Sequence, residues 1–114
     1  MEIKKIAEIL DARIVCGEDL IDKEIHCGFA SDLMSDVLTL DSEGLVLVTG
    51  LANLQTIRTA EMADITCVVF VRDKTVTPEM RKIAGENNMV LLECRYSMFR
   101  TIGKLYEAGL APVY

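Results

Sequence analysis

Seven residues of this 114-residue chain stand at or just behind the ends of its apolar runs: Ser31, Asp32, Thr49, Gly50, Asn53, Arg72 and Arg95. Two guanidinium groups near a hydroxyl, a glycine and an asparagine suited to starting a helix make a set that fits a small anion. Charged donors neutralise it, and backbone N–H groups can approach it closely. Phosphate, a nucleotide or a carboxylate metabolite would all satisfy these groups. Ser31 and Asp32 add a hydroxyl and an acceptor that would select the polar end of such a ligand. Arg72 and Arg95 read equally well as solvated strand-end residues paired with Asp73, Glu93 or Asp32, each pair contributing about 0–1 kcal/mol.

Conversion of a ligand would need more than these groups. A nucleophilic Cys94 requires a base, and the single histidine, His26, stands in a different strand-like run. Asp32 and Asp36 are spaced i, i+4 beside serines, an arrangement commonplace on exposed helices. No Gly-x-x-x-x-Gly-Lys-Ser/Thr loop occurs, so phosphoryl transfer has no support. The expectation is a binding protein without catalytic residues or cofactor. Cys16, Cys27, Cys67 and Cys94 form no Cys-x-x-Cys pair, so they are expected to be reduced, metal-free thiols. Cys94, beside the Arg95 cation, is expected to react first.

The elements that position these groups follow from periodicity. Ile3, Ile6, Ala7 and Leu10 are spaced i, i+3, i+4, i+7 as on one face of a helix. Arg13 to Cys16 forms a short strand closed by Gly17-Glu18-Asp19, and Ile25, Cys27 and Phe29 alternate with His26, Gly28 and Ala30 as a second. The echo Ser31-Asp32-Leu33-Met34, Ser35-Asp36-Val37-Leu38 suggests a capped surface helix that buries Leu33, Val37 and Leu38. Beyond it Leu45–Thr49, Ile65–Val71 and Met89–Glu93 are continuous apolar runs, as expected of parallel strands covered on both faces. Asn53, Thr77 followed by Pro78, and Ser97 can cap the intervening and final helices. In the last helix Phe99, Ile102, Gly103 and Tyr106 share a face. That face is expected to lie on the sheet, with Gly103 allowing close approach and Gly109 ending the helix. The expected fold is α/β: a small, mainly parallel sheet with helices on both faces. Such a sheet gathers its strand carboxyl ends on one edge, where ligands bind.

Composition limits the partners. The chain is expected to be one domain over residues 1–114, and its 51% hydrophobic content with 26% charged residues supports a real core. A net charge of -6 opposes nucleic-acid binding, which depends on cationic surface. No apolar run is long enough to cross a membrane and the start lacks a signal-peptide core, so a cytoplasmic protein is expected. The apolar excess points to a homodimer, with Met34, Leu51, Met62 and Met98 as expected contributors.

The stretch from Ala30 to Glu61 resembles the DRTGG domain. The resemblance continues through Val68-Val69-Phe70-Val71-Arg72, Ser97-Met98-Phe99 and Leu105-Tyr106-Glu107-Ala108-Gly109-Leu110, and so covers nearly the whole chain. Of the signature that names the family only Thr49-Gly50 remains, followed by Leu-Ala-Asn, as in divergent, free-standing relatives. A more distant likeness in fold runs to the amino-terminal domains of HPr kinase/phosphorylase and of the Mur ligases. The resemblance implies a non-catalytic regulatory or ligand-sensing role, frequent dimerisation and a partner enzyme. A structural interaction domain that assembles a larger enzyme complex is the alternative.

Overall fold

The computed structural model describes residues 1–114. Six strands form one sheet in the order β1-β5-β4-β3-β2-β6. They are β1 (Arg13–Cys16), β2 (Cys27–Ala30), β3 (Leu45–Thr49), β4 (Cys67–Phe70), β5 (Val90–Glu93) and β6 (Ala111–Pro112). Strands β2 to β5 run parallel, β6 joins parallel to β2, and only β1 lies antiparallel, against β5. Helices α1 (Ile3–Leu10), α2 (Met34–Val37), α3 (Leu54–Met62), α4 (Pro78–Glu86) and α5 (Met98–Glu107) connect and cover them.

The continuous apolar runs arise because both faces of the central strands are buried. Successive side chains point to opposite faces. Val46, Val48, Cys67, Val69, Val90 and Leu92 therefore join Ile3, Ile6 and Leu10 of α1 and Leu105 of α5 in one core. Leu45, Leu47, Val68, Phe70 and Leu91 join Val37, Ile57, Ala60, Met80 and Ala84 from α2, α3 and α4 in the other. Each large aliphatic or aromatic side chain buried this way contributes about 1.5–3 kcal/mol relative to exposure. The expected caps form: Asn53, Thr77 and Ser97 accept the backbone N–H groups of Thr56, Met80 and Arg100.

Several expectations are corrected. The helix after Asp32 shrinks to the single turn of α2, which buries Met34 and Val37 and leaves Leu33 and Leu38 exposed. Met34 is therefore core, not dimer surface, and Leu51 and Met98 are half-buried against the two cores. Among the expected dimer methionines only Met62 is broadly exposed. In α5 the buried face is Thr101 and Leu105, whereas Phe99 and Tyr106 stand in solvent and nothing lies within 4 Å of the place a Cβ of Gly103 would take. The two-residue β6 gives no signal in the sequence, because a strand so short has no periodicity.

Candidate functional site

The carboxyl ends of β2, β3 and β4 bring Asp32, Thr49, Gly50 and Arg72 together. Asp32 follows β2, and its Oδ1 accepts the Thr49 hydroxyl at 2.9 Å and the Gly50 backbone N–H at 2.7 Å. Its Oδ2 lies 3.9 Å from Nη2 of Arg72, a loose ion pair rather than a hydrogen bond. Both charged side chains are about half exposed, 54% for Arg72 and 49% for Asp32. Thr49, by contrast, is fully buried, and its hydroxyl also accepts the Leu51 N–H at 3.2 Å, so it holds the Asp32 carboxylate in place from below.

Arg72 reaches this position through an uncommon backbone. Arg72 and Asp73 are successive left-handed residues, with φ of 61° and 59°, a conformation that side chains with a Cβ rarely adopt. The turn is tied to the segment that follows β5, since Arg72 N–H donates to the Tyr96 carbonyl at 2.8 Å and Asp73 N–H to that of Cys94 at 3.0 Å. Its result is to lay the guanidinium over Gly50, where only a residue without a side chain leaves room.

The remaining expected residues divide. Ser31 sits at the margin: its Oγ accepts the Leu33 N–H at 3.0 Å and shapes the loop that carries Asp32. Asn53 is occupied with capping, its Oδ1 accepting from the Thr56 N–H at 3.0 Å and from the Thr56 hydroxyl at 3.1 Å. Arg95 is not brought to the cluster. It pairs with Asp11 at 3.3 Å on the β1 side of the sheet, in a polar depression of about 330 Å³ lined also by Arg13, Asp73 and Glu93. The antiparallel β1 next to β5 explains this separation, because it places the end of β5 beside the α1–β1 turn.

Glu93 reads in the sequence only as a surface partner. In the structure it is buried, pairs with Arg13, and its Oε2 accepts the Val76 N–H at 2.7 Å, so it pins the loop before α4. A lone carboxylate ending an apolar strand is the signal that could have found it. The expectation for Cys94 is also corrected: it is 1% exposed, with Sγ 3.6 Å from the Leu10 carbonyl and 3.7 Å from the Thr101 hydroxyl. Burial pushes the Cys67 thiol up to about 12 and raises that of Cys16 as well. Cys27 alone is partly exposed.

No family model matches the chain, and no curated protein does. Among solved structures it is similar to the CBS and DRTGG domains of the regulatory region of Clostridium perfringens pyrophosphatase, complexed with the activator diadenosine tetraphosphate. The TM-score is 0.74 and the identity 14%, over 98% of this chain and 48% of that one. The chain thus spans about half the length of this structural neighbour. The two share a fold, an α/β sheet of mostly parallel strands covered by helices.

Proposed function

We propose that this chain is a non-catalytic regulatory domain that binds a nucleotide or another small phosphorylated metabolite at the carboxyl edge of its sheet, as a homodimer in a cytoplasmic setting. The observation that carries the reading is the half-exposed Asp32–Arg72 pair, 3.9 Å apart and held over Gly50. Its two members offer complementary chemistry. Oδ1 of Asp32 is committed to Thr49 and Gly50, which leaves Oδ2 to accept hydroxyl groups of a sugar, while the Arg72 guanidinium supplies paired donors for a phosphate. A ligand carrying both groups bridges the pair. Ser31 and Asn53 border the site, whereas Arg95, paired with Asp11 among the carboxylates of its separate depression, takes no part in it.

The structural neighbour supports a regulatory reading, since that region of the pyrophosphatase was complexed with a nucleotide activator. Two successive left-handed residues at Arg72 and Asp73 add to this support, because such backbone strain clusters at ligand-binding sites and here it sets the Arg72 guanidinium over Gly50. A second reading, an interaction domain that assembles a larger enzyme complex, is favoured by the exposed aromatic surface of α5, where Phe99 is 89% exposed.

A thermal-shift screen over nucleotides and sugar phosphates separates the two. Ligand at a hundredfold excess over its dissociation constant stabilises the folded state by about 2.7 kcal/mol. The sensing role predicts such a shift and its loss in Arg72→Ala. A broad screen without any shift overturns the sensing role and favours assembly, whereas a shift unchanged in Arg72→Ala overturns the proposed site.

A further inference from the structure

Helix α5 carries a solvent face that the fold does not use. Thr101 and Leu105 meet the core, while Phe99, Gly103 and Tyr106 lie together on the opposite side. Glycine is the poorest helix former after proline, and the space around Gly103 is open, so nothing within the chain calls for it. The spacing on this face is regular. Phe99 and Tyr106 are one heptad apart with Gly103 between them, and Arg100 and Glu107 are one heptad apart along the flank of the same stripe.

This pattern is self-complementary. A second copy turned by a two-fold axis beside Gly103 brings the two α5 helices together antiparallel. The paired glycines let the backbones approach, and Phe99 of each copy comes close to the level of Tyr106 of the other. On the flank, Arg100 of each copy faces Glu107 of the other, giving two equivalent ion pairs. The charges therefore attract on this face although the chain as a whole carries -6. Arg100 lies with its guanidinium 4.3 Å from the centre of the Tyr96 ring of its own chain, a ring that Lys104 also approaches at 5.4 Å. Beside the stripe, Ile102 and Tyr106 border an apolar hollow that runs to Gly28 and Pro112 and widens the surface available for contact.

We propose that a second copy of this chain docks on the Phe99–Gly103–Tyr106 face of α5, with Arg100 and Glu107 exchanging charge pairs across the two-fold axis. This contact rests on the self-association proposed above and names its surface.

Sedimentation of the full chain, with circular dichroism to verify folding, tests the proposal on wild type, Arg100→Glu, Glu107→Arg and the double reversal. Wild type should dimerise. Each single reversal makes both equivalent pairs repulsive and should raise the dimer dissociation constant about tenfold or more, and the double reversal should restore association. Gly103→Ala provides a readout free of charge: the monomer should melt higher while the dimer weakens, since the added methyl groups separate the backbones. A wild-type dimer indifferent to the single reversals, or a double reversal no better than either, places the contact elsewhere and overturns the surface. A wild type that stays at 12.7 kDa at high micromolar concentration removes self-association altogether. Ligand binding, read separately by thermal shift, stands or falls independently of either result.

Discussion

Gly50 lies directly beneath the side chain of Arg72: a methyl group at position 50 would stand 2.5 Å from Nη2 and 3.0 Å from Cζ. The obstructed atoms are the far end of a flexible side chain, so Gly50→Ala should displace the guanidinium rather than disturb the sheet. Its melting temperature should stay within a few degrees of wild type, a cost under about 1 kcal/mol. Titration calorimetry with a nucleotide found in the screen should show affinity falling about tenfold. Unchanged affinity would mean that Arg72 does not touch the ligand.

Arg72→Gly isolates the backbone from the side chain. A left-handed residue with a Cβ costs about 1–2 kcal/mol, which glycine relieves while adding freedom to the unfolded chain. Urea denaturation should place the variant within about 1 kcal/mol of wild type, on the stable side, although ligand binding is lost. A large destabilisation would show that the guanidinium holds the turn together rather than serving a ligand.

Glu93 and Arg13 should behave unequally although they form one pair. Glu93→Ala leaves the buried Val76 N–H without its acceptor and should cost about 1–3 kcal/mol. Arg13→Ala removes a side chain that is 75% exposed and should cost less than about 1 kcal/mol. Equal losses in denaturant melts would contradict the burial asymmetry.

The thiols make a pH-dependent prediction. The folded Cys67 holds its proton up to about 12, whereas the unfolded chain releases it near the ordinary value of 9.0. The folded state therefore binds more protons between these values, and stability should fall as pH rises through that window. The slope from this thiol is up to about 1.4 kcal/mol per pH unit. Below about pH 9 this thiol should contribute no such dependence. Maleimide labelling with peptide mapping at neutral pH should modify Cys27 first and leave Cys67 and Cys94 untouched until the protein unfolds.

The parallel strands, their helices and the edge that gathers the candidate residues were legible because burial on both faces leaves unbroken apolar runs, as in Leu45–Thr49 and Cys67–Phe70. Asp32, Thr49, Gly50 and Arg72 were legible for the same reason, as residues that end or follow those runs. Arg95 was misplaced because its surroundings depend on the antiparallel pairing of β1, which a four-residue strand does not announce. Likewise the face of α5 was inverted. Phe99 and Tyr106 outrank Thr101 in hydrophobicity, yet Thr101 is the residue that is fully buried. Which side of a helix meets the sheet is decided by the whole packing arrangement, and Cys94 was misread through the same packing against Thr101.

Both borders of the sheet are poor templates for further strands. At one, β6 is two residues long and ends in Pro112, which has no N–H to offer, while at the other β1 carries a register break between Ile14 and Cys16. A flat ladder of copies finds only short, irregular edges on which to grow. The apolar composition should therefore not translate into fibrous aggregation, and concentrated solutions of the native chain should stay free of thioflavin-positive material.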